Sequence, residues 1–149
     1  MRVFDIVIPL LTIYLIAQYL IGIIMKKLDI KQLDEKDEEI ADALISLGLS
    51  RNAALTLAYM QNTNSATSLE LERSARLRQP EVSIVMRELK HRDWINEHEE
   101  KKPGKGRPYK IYSLNVGFTD IIAQLEKEQK KAVDMTHAKI ERLKELGKD

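Results

Sequence analysis

The sequence predicts a mainly α-helical fold with one small β-hairpin, flanked by an apolar N-terminal helix and a long C-terminal helix. Three observations carry that expectation. The twenty residues from Ile6 to Met25 contain no charge. Four segments between about residues 37 and 92 repeat their apolar residues at helical spacing. The Gly- and Pro-rich segment KKPGKGRP separates two stretches that read as strands.

The N-terminal segment IVIPLLTIYLIAQYLIGIIM is apolar on every side, with only Thr12, Gln18 and Gly22 as softer positions. Twenty helical residues rise about 30 Å, the thickness of a bilayer's hydrocarbon core. A membrane anchor over residues 6–25 is the expected reading. Two others stand beside it: a buried or dimerising helix, and a translation start at Met25, which leaves MKKLDIKQLDEKDEE as a soluble N-terminus. A cleaved signal peptide fits poorly, since a basic start, a short apolar core and an A-x-A-like site are all missing. Lys26 and Lys27 follow the apolar run, and only Arg2 precedes it, offset by Asp5. That bias puts the rest of the chain at the cytoplasmic face of the membrane; plain cytoplasmic localisation is the alternative.

Residues 28–36 read as a polar linker or helix start. Helical spacing at Ile40, Ala43, Leu44 and Leu47 predicts a helix from about Asp37, with acids in its first turn where the dipole favours them. Gly48 suits its C-cap. Ser50 caps a second helix, Arg51 to about Gln61, with Ala54, Leu55, Ala58 and Tyr59 inward. Asn62 to Ser65 is a turn cluster. Thr67 or Ser68 caps a third helix to about Ala75, and Glu70 completes a capping box with Thr67. Pro80 opens a fourth helix, 80–92, with a core stripe of Val82, Val85, Met86 and Leu89. Trp94 and Ile95 begin a strand reaching about Glu100. A basic turn, 101–108, leads to a second strand, Tyr109 to Leu114. The last helix, about Phe118 to Leu146, carries an irregular apolar stripe. Heptads fit poorly around Gln129 and Lys139, which argues against a long regular coiled coil.

These elements divide the chain into an apolar helix at 1–27, a compact domain at 28–114 and a C-terminal helix at 115–149. The 149 residues suffice for one ordinary domain with an appendage at each end. With 44 % hydrophobic and 32 % charged residues, the chain is globular rather than disordered. The absence of Cys excludes disulfides, zinc–thiolate sites and Cys nucleophiles, and it fits a reducing compartment.

The net charge of +1 hides an asymmetry. Residues 28–72 hold three basic and nine acidic residues, whereas 73–110 hold eleven basic and six acidic. A basic half points to a polyanionic partner on one face. The third and fourth helices are joined by a short turn, as in a helix-turn-helix pair. The core stripe of the fourth helix leaves Gln79, Glu81, Ser83, Ile84 and Arg87 on its free side. Gln and Arg can pair with adenine and guanine edges, Ser with either, and Ile84 can touch a thymine methyl. Glu81 can accept from cytosine or simply favour the helix N-terminus. Lys101, Lys102, Lys105 and Arg107 lie in the stiff basic hairpin tip, with Lys110 just behind. Such a loop suits phosphate or minor-groove contact. Arg73, Arg76 and Arg78 add charge near the turn.

Residues 37–114 resemble the winged helix-turn-helix domain of archaeal transcription regulators related to the MarR, ArsR and TrmB families. The resemblance rests on SLELERSARLRQPEVSIVMRELKHRDWI followed by EKKPGKGRPYKIYSL, about half the chain. It implies that Gln79, Glu81, Ser83, Ile84 and Arg87 face the major groove of double-stranded DNA, with Lys105 and Arg107 at the wing tip. It also implies a homodimer joined through terminal helices, for which 118–146 is the candidate. Asp93 stands where many members have Gly, and the apolar N-terminus is outside the usual pattern.

Competing chemistries find little support. The G-x-G of the wing precedes a strand instead of opening a helix, and no G-K-[ST] occurs, so nucleotide binding is not expected. His91, His98 and His137 lack metal-ligand spacing. The acidic run Asp34 to Glu39 lacks the glycine of a calcium loop. No nucleophile, base and orienter can be assembled, so neither an enzyme nor a cofactor is expected, and no small-molecule effector is identifiable. The sequence therefore predicts a DNA-binding transcription regulator. The alternative is a winged-helix protein-interaction module at the membrane, without DNA binding.

Overall fold

The computed structural model describes residues 4–27, 31–101, 103–104 and 106–148. It divides into two units, residues 1–31 and 32–149.

The first unit is one helix, α1 (Phe4–Lys27), with Pro9 in its first turns. Every side chain from Ile6 to Ile24 is exposed. This stretch of 19 residues has a mean hydropathy of 2.2, long and apolar enough to cross a bilayer. Thr12 satisfies its hydroxyl locally by donating to the Ile8 carbonyl at 2.8 Å.

In the second unit the order is α2 (Glu35–Ser46), α3 (Arg51–Thr63), β1 (Ser65–Thr67), α4 (Ser68–Ser74), α5 (Gln79–His91), β2 (Ile95–Glu100), β3 (Tyr109–Leu114) and α6 (Phe118–Leu146). That order, with its small antiparallel sheet, is a winged-helix fold. Helix α2 begins two residues earlier than its apolar spacing suggests. Asp34 caps it, accepting from the Asp37 N–H at 2.9 Å, while the Asp37 carboxylate accepts from the Asp34 N–H at 3.3 Å. Asp37 is buried and also accepts from the Asn62 amide at 2.9 Å. Gly48 leaves the helix at φ +101°, a conformation costly for any residue with a Cβ.

The turn expected over Asn62–Ser65 is shorter than that. Helix α3 runs on to Thr63, Asn64 alone turns at φ 60°, and Ser65 already begins a strand. Strand β1 pairs antiparallel with β3, Ala66 opposite Tyr112, giving a sheet of order β1-β3-β2 in place of a simple hairpin. The hairpin itself runs from Ile95 opposite Leu114 to Glu100 opposite Tyr109.

The core forms where the helices meet this sheet. Leu57 and Met60 of α3, Leu71 of α4, Val82, Val85, Met86 and Leu89 of α5, and Trp94 are all buried. The predicted stripe of α5 is thus its core face. Helix α6 joins through Ile121 and Leu125, and α6 has no buried residue after Leu125. Polar contacts reinforce the junction. The Trp94 indole N–H donates to Gln124 at 2.6 Å, Arg92 pairs with Glu128 at 3.1 Å, and the Gln129 amide donates to the Leu47 carbonyl at 2.8 Å.

Candidate nucleic-acid interface

Helix α5 carries the centre of the candidate surface. Burial of Val82, Val85, Met86 and Leu89 fixes its rotation about its own axis. Gln79, Ser83 and Arg87 then fall in one exposed column at four-residue spacing. Ile84 stands beside them, 61 % exposed. The Ser83 hydroxyl reaches back to the Gln79 carbonyl at 3.4 Å, a weak bond that a ligand can replace.

Glu81 behaves differently from its neighbours. It is only partly exposed, and its carboxylate accepts from the Arg78 backbone N–H at 2.6 Å. It therefore caps the N-terminus of α5, where the helix dipole also favours a negative charge. Of the sequence's two options for Glu81, the capping role is the one with a visible bond.

The approach to α5 is a tight turn, Ala75 to Arg78, between α4 and α5. Ala75 and Leu77 are buried, and Arg76 and Arg78 alternate with them on the outside. Arg76 adopts φ 54°, the left-handed region that non-glycine residues seldom enter.

On the wing, Lys101 and Arg107 are exposed. Lys102 and Lys105, two of the expected tip cations, lie outside the described residues. Gly104 sits at φ +116°, and the Gly106 N–H donates to its carbonyl at 3.1 Å, so the tip does turn tightly at glycine. Lys110 is engaged in the sheet. Its ammonium lies 2.8 Å from the Glu97 carboxylate, which Lys90 of α5 approaches from the other side at 2.9 Å. Hydrogen bonds from Lys110 and Lys90 hold the Glu97 carboxyl below its ordinary pKa, and the Glu97 bond holds Lys110 above its own. Among the described residues, Arg76, Arg78, Arg87, Lys101 and Arg107 form no ion pair. The cations of the turn, α5 and the wing are thus available to an external anion, whereas those that tie α5 to the sheet are already neutralised.

Several residues that position this surface carry little sequence signal. Glu97 reads as an ordinary exposed acid until β3 brings Lys110 opposite its strand. Arg92 reads as another basic residue, yet it stacks 4.8 Å above the Trp94 ring while holding Glu128. No cluster of His, Asp and Glu able to hold a metal occurs among the described residues.

Comparison with known proteins gives the fold. No family model matches the sequence, and no curated protein matches it. Among solved structures, one described as a "possible transcriptional regulator from Methanosarcina mazei" superposes with a TM-score of 0.53 at 15 % identity, covering 72 % of this chain and 86 % of that one. At that identity the likeness establishes the winged-helix fold. Two looser matches are Stf76 from a Sulfolobus islandicus plasmid-virus and a mutant Escherichia coli MarR complexed with operator DNA. Stf76 has 27 % identity over 52 % of this chain and 95 % of its own, at a TM-score of 0.39. The MarR complex has 18 % identity over 85 % and 78 %, at a TM-score of 0.43.

Proposed function

We propose that this winged-helix protein is a DNA-binding transcription regulator that reads the major groove with α5 and the phosphate backbone with its turn and wing. The observation that carries the reading is the exposed column Gln79, Ser83 and Arg87, with Ile84 beside it, following a turn whose arginines have no carboxylate partner among the described residues. A groove-reading helix makes its base contacts with N-terminal residues, where this column lies. Arg76, Arg78, Lys101, Lys102, Lys105 and Arg107 supply phosphate contacts in this reading. Lys110 joins them only by giving up Glu97. The Methanosarcina protein, itself described as a possible transcriptional regulator, agrees with the proposal.

Two further parts belong to it. Helix α1 anchors the chain in the membrane, with the winged-helix domain on the cytoplasmic side. Helix α6 pairs with a second copy, so that two winged helices act together on the duplex.

The test is a DNA titration of the full chain in neutral detergent at two salt concentrations, with random duplex and fragments from upstream of its own gene. Affinity should fall steeply with salt, with a log–log slope near −10 for the dimer at about five or six phosphate contacts per protomer. Arg107→Ala should weaken all sequences alike and flatten the slope of the dimer by about two, one contact from each copy. Arg87→Ala should also change sequence preference, costing about 1–3 kcal/mol on preferred fragments. Absence of binding at low salt would end this reading and favour the protein-interaction module.

A further inference from the structure

A cleft of about 300 Å³ opens between the start of α2, the N-terminus of α3 and the turn that leads into α5. Arg51 and Arg76 line it, against a single carboxylate, Glu38. Neither arginine forms an ion pair among the described residues.

Three features make it more than two surface arginines. First, it contains the N-terminus of a helix of 13 residues. Ser50 satisfies the Ala53 N–H at 3.3 Å, and the preceding N–H groups of Arg51 and Asn52 have no intrahelical acceptor. The helix dipole adds positive potential there. Second, Ser74 contributes to the wall. It is 2 % exposed, and its hydroxyl has no hydrogen-bond partner among the described residues, a condition it shares only with Thr56 of α3, which does not line the cleft. Buried hydroxyls almost always have one, so an unpartnered one beside a cleft points to a missing acceptor or donor. Third, Arg76 holds a left-handed backbone at φ 54°, the kind of local strain that collects at binding sites. Leu33, Leu55 and Ala75 supply an apolar wall. Few polar groups converging on a partly apolar recess is the usual make-up of a small-molecule site.

We propose that this cleft binds a small oxyanion, a carboxylate or phosphate group, between the Arg51 and Arg76 guanidiniums over the N-terminus of α3. The apolar wall accommodates the body of an organic ligand. Ala75 and Arg76 lead directly into α5, so an occupant bears on the segment that positions the exposed column of α5. That last consequence rests on the DNA reading; binding of the oxyanion does not. A backbone phosphate of DNA has the same chemistry as a free ligand, and the experiment separates the two.

The full chain in neutral detergent is titrated with inorganic phosphate and with phenyl phosphate, followed by amide NMR, with sodium chloride at matched ionic strength as the control. Saturable shifts are expected at the Asn52, Ala75 and Arg76 amides with both phosphates, tighter for phenyl phosphate, and not with chloride. Arg51→Gln should weaken binding by about tenfold, the usual loss for a charge-assisted hydrogen bond. Glu38→Gln should tighten it by about threefold, and an unfolded variant cannot mimic that gain. The proposal falls if no saturable shift occurs at these amides. It falls equally if Arg51→Gln and Arg76→Gln both bind phosphate like the parent. Duplex added to the phosphate-loaded protein then identifies the source. Displacement of phosphate assigns the oxyanion to the DNA backbone; retention with a changed DNA affinity assigns it to a free ligand. A chain that binds phosphate but no duplex loses the regulator reading and keeps the site.

Discussion

Asp93 turns the chain from α5 into the wing with a backbone φ of 58°. Its carbonyl accepts from the Asn115 amide at 3.1 Å, and the next N–H, from Trp94, returns to the Leu89 carbonyl at 3.1 Å. The left-handed region crowds a Cβ, and Asp tolerates it better than branched residues do. The resemblance marked this position as a departure because glycine is common there. The structure shows that the conformation is the one glycine would supply, so the departure is in the residue and not in the turn. Asp93→Val should therefore destabilise the domain by about 1–2 kcal/mol. Asp93→Gly should be neutral or stabilising, since it also removes an acid from the C-terminal end of α5. Urea denaturation followed by Trp94 fluorescence measures both, and a Val variant as stable as the parent would refute the strain argument.

Elements with a local signature were legible in the sequence. The stripe Val82, Val85, Met86 and Leu89 specifies α5 because a helix's burial pattern is written in its own spacing. Thr67 and Glu70 specify the start of α4 in the same way, and the structure contains that reciprocal cap. Strand β1 was illegible because only Ala66 of its three residues is buried. Its strand character comes from pairing with Tyr112, far along the chain. The same limit hid Glu97, whose meaning depends on Lys110, diagonally across the hairpin from it, and on Lys90 from α5. That triad has a pH signature. Because Glu97 titrates lower in the folded chain than unfolded, it stabilises the fold above the ordinary carboxylate pKa of about 4.3. The contribution disappears as pH falls through its lower native value. Glu97→Gln should thus lower the melting temperature by about 2 °C at pH 7, with the gap from the parent closing below pH ~4. A gap that stays constant down to pH ~3 would show that the two lysines do not stabilise the carboxylate.

At the scale of the whole molecule, α6 is unfinished as a monomer. Its first two turns dock on the domain through Ile121 and Leu125, and Gln129 makes the last bond to it, to Leu47. The remaining turns to Leu146 extend about 25 Å without covering anything. Val133, Ile140 and Leu143 are exposed there by 53 %, 44 % and 69 %. With Thr136 they follow three–four–three spacing, one seam of a coiled coil. The repeat reads poorly from the sequence around Gln129 and Lys139; Gln129 is committed to the domain, while Lys139 flanks the seam beside Ile140. The seam starts only beyond that residue. Glu126–Lys130 and Glu141–Lys144 pairs on the helix surface help it stay helical, but such pairs add only tenths of a kcal/mol each. In the proposed dimer, burial of the seam against a second α6 would supply that cover and set the spacing of the two winged helices. Ile140→Asp with Leu143→Asp should therefore yield a monomer in density-matched detergent by sedimentation velocity, with reduced helicity and weaker binding to duplex. Because phosphate contacts would be halved, the salt slope should fall with the affinity. A parent chain that already sediments as a monomer, or a double variant that remains a dimer, would show that α6 is not the element that joins two copies.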